Sequence, residues 1–162
     1  MKVGIIGGGR VGSRLAASLR EAGVLVGITA ASEQHSAQLA QQFGVPATDN
    51  AKLWQAADVL LLTVPDRLIG TVAEELAQSV TPAAKVVLHG SGSVGLEPLA
   101  PLAQLGAHVG SLHPLQSFAG GNTKLAGVYM ALDGDSEAQD AGKKLVELFG
   151  GKAFSVAAED RA

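Results

Sequence analysis

The sequence predicts an α/β domain built on a doubly wound, mostly parallel sheet with helices on both faces. Three observations carry this expectation. Short apolar runs alternate with helical patterns from one end of the chain to the other. Runs such as Val59-Leu60-Leu61-Leu62-Thr63-Val64 are apolar without alternation, the signature of strands covered on both faces and paired in parallel. A glycine turn, Gly7-x-Gly9-x-x-Gly12, joins the first apolar run to the first helical segment.

The elements follow in order. Strands are expected near 2–7, 24–30, 58–64, 85–89, 107–112, 127–132 and 152–156, with a short additional strand at 45–48. Helices are expected near 10–22, 33–43, 50–56, 67–79, 95–105 and 135–149, several bounded by Gly23, Gly44, Gly106 and Gly150. With 162 residues the chain makes one domain, or a domain with a small appendage, able to bury roughly 70% of its unfolded surface. Hydrophobic residues are 47% but aromatic residues only 4%, so Ala, Val and Leu must fill the interior. The net charge of −3 without a long basic run argues against nucleic acid or an anionic membrane as a partner. No apolar stretch is long enough to cross a bilayer, and a strand starting at Lys2 leaves no room for a signal or transit peptide. The absence of cysteine excludes disulfides, thiolate metal sites and a cysteine nucleophile, and fits a cytoplasmic location.

The glycine turn carries the first chemistry. In a strand, turn and helix at this spacing, Gly7 permits the tight turn, Gly9 lets a pyrophosphate approach the backbone, and Gly12 lets the helix pack closely on the strand. The helix start then offers free N–H groups and a positive dipole end to phosphates. Residues Gly7, Gly8, Gly9, Arg10, Val11 and Gly12 are therefore expected to bind a dinucleotide. After the second strand, Thr29, Ala30 and Ala31 stand where an NAD site usually places an acid for the ribose 2′-hydroxyl. Without that acid a 2′-phosphate is not repelled, so NADP is expected over NAD, although NAD is still admitted. Ser32 either donates to that phosphate or caps the helix from Glu33. No arginine follows the strand; Arg10 or His35 is the substitute available.

The strand over 58–64 ends Thr63-Val64-Pro65-Asp66. Pro65 stops the ladder, Asp66 is expected to cap a helix beginning at Arg67, and the backbone of Val64 and Pro65 is expected to line the nicotinamide side. The next two strands deliver His89-Gly90-Ser91-Gly92 and His113-Pro114 at neighbouring carboxyl ends. Imidazole titrates near neutrality and can hold or pass the proton that accompanies hydride transfer to a C=O or C=N bond. His113, Ser91 and His89 are thus the candidate catalytic residues, against the alternative that such histidines only form turns or fill the core. A Ser/His/acid hydrolase is disfavoured because Gly90-Ser91-Gly92 lacks the Gly-x-Ser-x-Gly elbow. Zinc on His89 and His113 lacks a third ligand, and no metal is expected.

Gly-Gly-Gly-Arg-Val-Gly at 7–12, Val-Pro-Asp at 64–66, His-Gly-Ser-Gly at 89–92 and Gly-Ser-Leu-His-Pro-Leu-Gln-Ser-Phe at 110–118 together resemble one family over essentially the whole chain. It is the Rossmann-like oxidoreductases whose C-terminal half is a helical domain of unknown function, within the phosphogluconate dehydrogenase and pyrroline-5-carboxylate reductase superfamily. The resemblance implies an NAD(P)-dependent reductase or dehydrogenase acting on a small-molecule substrate. A more distant likeness is to prephenate dehydrogenases, whose His-Pro pair matches His113-Pro114; there the histidine contacts the hydroxyl that is oxidised, and Ser91 falls where a serine contacts substrate. Gln116 and Ser117 depart from that pattern, so prephenate itself is not implied. Members of the family continue from a segment like Glu159-Asp160-Arg161-Ala162 into the helical domain, which dimerises and closes the substrate pocket. The whole of 1–162 is therefore expected to be a single nucleotide-binding domain lacking that partner, with a homodimer expected once the helical domain is present. The competing function is an inactive dinucleotide-binding or sensing module that works through a partner; a third reading is a ligand-free interaction domain.

Overall fold

The computed structural model describes residues 1–115 and 124–156. A seven-stranded sheet runs through it in the order β2-β1-β3-β4-β5-β6-β7. The strands are β1 (Val3–Ile6), β2 (Leu25–Thr29), β3 (Val59–Leu62), β4 (Val86–His89), β5 (His108–Pro114), β6 (Tyr129–Gly134) and β7 (Lys152–Ser155). The first five pair in parallel, β6 runs antiparallel to β5, and β7 pairs in parallel with β6. The chain order reverses at β1, so the carboxyl ends of β1 and β3 flank a switch point, the place where such sheets take ligands.

Helices α1 (Arg10–Glu21), α2 (Glu33–Phe43) and α3 (Asn50–Ala56) agree closely with their expected spans. Ser32 caps α2 by accepting from the His35 amide, and Asp49 caps α3 by accepting from Lys52. Helix α6 (Ser136–Phe149) is capped by Asp135 and stops at Gly150 in the left-handed region.

Four expectations are corrected. The segment 45–48 is not a strand: the Val45 amide is already used to close α2 through the Ala40 carbonyl, and Pro46 has no N–H to give a ladder. The helix expected over 95–105 breaks into a 3-10 turn, Glu97–Leu99, followed by α5 (Ala100–Ala103), because Pro98 and Pro101 remove two donors from the α ladder. The helix expected from Arg67 begins as a 3-10 turn, Asp66–Leu68, and turns regular only in α4 (Ile69–Ser79). Asp66 does not cap it; its Oδ2 accepts instead from the Ser93 hydroxyl at 3.2 Å.

Two apolar layers hold the sheet. Val3, Ile5, Leu15, Leu19 and Ile28 pack under α1, α2 and α6 on one face, while Leu53, Trp54, Leu60, Leu62, Ile69 and Leu99 fill the other under α3, α4 and α5. Trp54 is buried with its indole N–H donated to the Thr81 carbonyl at 3.2 Å. Over β6 and β7 the two-sided cover ends. Met130 and Leu132 are buried beneath α6, whereas their alternating neighbours turn outward, leaving Tyr129 53% and Phe154 39% exposed. Among the described residues no helix covers that outer face, so alternation replaces the continuous apolar pattern of the parallel strands. No described helix is long and apolar enough to cross a membrane.

At the amino end of β5, His108 Nδ1 lies 2.9 Å from Asp135 Oδ2 and 3.6 Å from Glu137. The hydrogen bond to Asp135 holds the His108 imidazole above its ordinary value, helped by both carboxylate charges and opposed by desolvation. A group whose folded value is raised adds stability that is fully present below the unfolded value, about pH 6.5, and lost as pH rises through the higher folded value. The melting temperature is therefore expected to fall as pH rises from about 6 toward 8. His108→Gln should remove that part of the profile; an unchanged slope would show that the pair adds nothing. Nucleotide binding should not follow it, because His108 sits at the end of the sheet opposite the switch point.

Candidate functional site

The glycine turn leaves β1 at its carboxyl end with Gly7 at φ +116°, a conformation side chains rarely adopt. A Cβ there would also stand 2.7 Å from the Thr63 carbonyl carbon, since the turn lies against the end of β3. A Cβ at Gly8 would strike Leu39 of α2, and one at Gly12 would overlap the Gly7 carbonyl oxygen and approach Thr63 Oγ1 at 2.6 Å. Around a Cβ at Gly9, by contrast, nothing lies within 4 Å. Backbone contacts thus require glycine at Gly7 and Gly12, Leu39 crowds Gly8, and Gly9 faces open space.

Gly9 is also the residue from which α1 starts, without a side-chain cap. Its carbonyl accepts from the Ser13 amide at 2.9 Å, and among the described residues the amides of Arg10, Val11 and Gly12 have no protein acceptor. Three unpaired N–H groups at the positive end of a twelve-residue helix, beside an open Gly9, form a cradle for an anion. Two hydroxyls that the sequence reading did not single out fix its shape. Thr63 Oγ1 donates to the Gly7 carbonyl at 2.7 Å, and Ser13 Oγ donates to the Gly8 carbonyl at 3.1 Å. The signal for Thr63 was a lone hydroxyl at the end of an apolar strand.

Beyond β2, Thr29 is buried and its hydroxyl donates to Asn50 Oδ1 at the start of α3. Ser36 Oγ accepts from the Ala30 amide at 2.8 Å, which fixes the strand tip, while Ala31, Ser32 and His35 are exposed. Arg10 is exposed at the head of α1. No acid occupies 29–31, and Glu33 opens α2. Val64 is half-buried and Pro65 exposed at the end of β3, on the rim of the same switch point.

The two histidines, alike in sequence, differ in place. His89 is 0% exposed, with Nε2 2.7 Å from the Gly95 carbonyl and Nδ1 accepting from the Ser91 amide at 3.1 Å. Ser91 is buried, and its hydroxyl accepts from the amides of Ser93 and Val94, at 3.2 and 3.0 Å. His113 is half-buried, with Nδ1 3.1 Å from the Gly90 carbonyl. A carbonyl can only accept, so Nδ1 carries the proton and Nε2 of the neutral ring is left with its lone pair. Among the described residues nothing pairs with that Nε2. Gly92 lies against the same ring, where a Cβ would come within 2.5 Å of Nε2.

His113 belongs to the outer face of the last strands. The register sets it beside Ala131 and Phe154 in one row, and Tyr129 beside Lys152 in the next. Leu115, hydrogen-bonded to the Tyr129 carbonyl, is 51% exposed. An imidazole with one committed nitrogen thus stands at the carboxyl end of β5, beside an apolar sheet face that no described helix covers. Positions Gln116, Ser117 and Phe118, and the segment 159–162, lie outside the described residues.

Comparison with known proteins agrees with this fold. A family model described as a Rossmann-like domain matches residues 1–114. A D-apionate oxidoisomerase from Cupriavidus necator is 27% identical over 163 residues, covering 91% of this chain and 58% of that protein. The structure of Synechocystis arogenate dehydrogenase superposes with a TM-score of 0.81 at 24% identity, over 99% of this chain and 61% of that one. A 1-pyrroline-5-carboxylate reductase from Streptococcus pyogenes gives a TM-score of 0.77 at 22% identity, over 99% and 60%. The chain therefore spans about three fifths of the length of these relatives.

Proposed function

The chain belongs to the Rossmann-like domain family, and from that premise we propose that it is the nucleotide-binding part of an oxidoreductase. The reaction is hydride transfer between a nicotinamide dinucleotide, NADP before NAD, and a carbonyl or imine carbon of a small molecule. The observation that carries the reading is the cradle at α1: Gly9 is open where Gly7, Gly8 and Gly12 are closely packed, and three amides beside it have no acceptor.

The residues present fit a dinucleotide. Gly9 and the amides of Arg10, Val11 and Gly12 would hold the pyrophosphate, Arg10 and Ser32 would face the 2′ position, and the backbone of Val64 and Pro65 would line the nicotinamide side. The bound cofactor supplies a hydride donor or acceptor at its ring; the protein supplies orientation and a path for the proton. His113 is assigned the proton. With Nδ1–H held by Gly90, its Nε2 accepts a proton from a substrate hydroxyl or amine on oxidation and, once protonated, returns it on reduction. The face formed by Leu115, Tyr129 and Phe154 is assigned to the further unit that completes the substrate pocket, consistent with relatives that are longer than this chain. For the chain taken by itself, cofactor binding is the first activity to measure.

Fluorescence titration with NADPH and NADH tests the reading. NADPH is expected to bind more tightly, because no carboxylate at 29–31 repels a 2′-phosphate. With no arginine after β2 the margin should stay under ~2 kcal/mol, about thirtyfold. Equal or reversed affinities would remove the NADP preference, and failure to bind either dinucleotide would remove the proposal.

A further inference from the structure

His89 and His113 are joined by one peptide group. The Ser91 N–H that donates to His89 Nδ1 and the Gly90 carbonyl that accepts from His113 Nδ1 are the two ends of the same planar unit. On its far side His89 has Nε2 at 2.7 Å from the Gly95 carbonyl, a group that can only accept. The pattern fixes both rings, with the proton of His89 on Nε2 and that of neutral His113 on Nδ1. The bonds run in one direction, from His113 Nδ1–H to Gly90, through the peptide to Ser91 N–H, to His89 Nδ1, and from His89 Nε2–H to Gly95. Each polarises the next.

We infer that His89 is a positioning residue: by holding the Gly90–Ser91 peptide in one orientation it sets the tautomer of His113 and leaves Nε2 as the nitrogen that meets substrate. The inference rests on the role given to His113 above. The need for such a device is visible in the loop. Gly90 and Gly92 flank Ser91, so the backbone there has little side-chain restraint, and a peptide flip would turn an N–H toward His113 in place of a carbonyl. The Gly90 amide is anchored on the Leu62 carbonyl at 3.1 Å, and the Ser91 hydroxyl ties down the amides of residues 93 and 94. The orientation of the peptide between them is the part that His89 Nδ1 controls. His89 itself touches no substrate atom in this scheme, since it is buried and both of its nitrogens meet the backbone.

Long-range proton–nitrogen NMR on the folded chain reads the tautomer of each ring without need of a substrate. In the parent, neutral His113 is expected as Nδ1–H and His89 as Nε2–H; His113 found as Nε2–H would overturn the inference before any variant is made. His89→Gln can reach toward Gly95 but offers no acceptor near Nδ1, and the Nδ1–H to Nε2–H ratio of His113 should fall about fivefold or more, the worth of one hydrogen bond. His89→Asn places an amide oxygen near the lost Nδ1 and should keep that ratio within about twofold of the parent. NADPH affinity should hold in both. An unchanged ratio in a folded Gln variant, or an equal loss in both variants, would reduce His89 to a packing role. The experiment separates the two readings: if the tautomers behave as expected while turnover of the complete enzyme ignores His113, the positioning stands and the proton assignment falls.

Discussion

Gly9→Val is expected to abolish NADPH binding while leaving the fold intact, and Gly12→Ala to act first on stability, lowering the melting temperature of the domain. The two glycines sit three residues apart in one motif, but their surroundings are opposite. A side chain at Gly9 would meet nothing within 4 Å of its Cβ, and the backbone there at φ −74° is open to any residue, so the folded state should lose less than about 1 kcal/mol. The same side chain projects into the cradle in front of the unpaired amides, where the pyrophosphate would lie, and replaces the close approach that only a hydrogen permits. At Gly12 even one methyl group overlaps the Gly7 carbonyl oxygen and crowds Thr63 Oγ1, both held by their own hydrogen bond. The carbonyl oxygen is backbone and cannot turn aside. Relief requires α1 to lift from the sheet, at a cost above about 3 kcal/mol and a fall in melting temperature of ~10 °C. Thermal unfolding followed by titration distinguishes the cases. Parent-like affinity in Gly9→Val would show that the turn is not the phosphate site.

Under the proposed hydride-transfer role, with the substrate pocket completed, His113→Asn is expected to lower kcat by about 10²- to 10⁴-fold, the usual consequence of removing a positioned acid or base, with NADPH affinity changed less than about twofold. Asparagine is the informative replacement because its amide N–H can still donate to Gly90, whereas nothing stands at the position of Nε2. The loop is preserved and only the proton-carrying atom is lost. His89→Asn, which keeps the acceptor for Ser91, should cost much less. A His113 variant within a few-fold of the parent would move the proton chemistry to the unit that covers Leu115, Tyr129 and Phe154.

Much of the molecule was legible from local pattern. The unbroken apolar run at 59–62 declared a parallel strand buried on both faces, and Ser32 before Glu33 and Gly44 after Phe43 marked the ends of α2. The roles of Gly7 and Gly12 as packing residues could be anticipated, because strand, turn and helix follow one another directly. Where proline removed donors, as at Pro46, Pro98 and Pro101, apolar pattern overstated regular structure, since it reports burial and not whether each amide can join a ladder.

The sequence by itself determined the fold class and the glycine turn between β1 and α1, for these depend on residues close together in the chain. The His113-Pro114 pair already set one histidine apart in the sequence, but only the tertiary structure showed what each ring nitrogen meets. Each lies at the carboxyl end of a strand, near serine and glycine. His89 is buried on the central strand β4, with nitrogens taken by Ser91 and Gly95, while His113 belongs to β5, whose outer neighbours carry no second layer among the described residues. The partner that sets its tautomer, Gly90, is 23 residues away in the chain and adjacent only across the sheet. Asp66 likewise exchanges a local cap for Ser93, 27 residues on. The chemistry of a polar side chain is set by which donors and acceptors packing brings to it, and that choice is made between strands, beyond the reach of spacing along one of them.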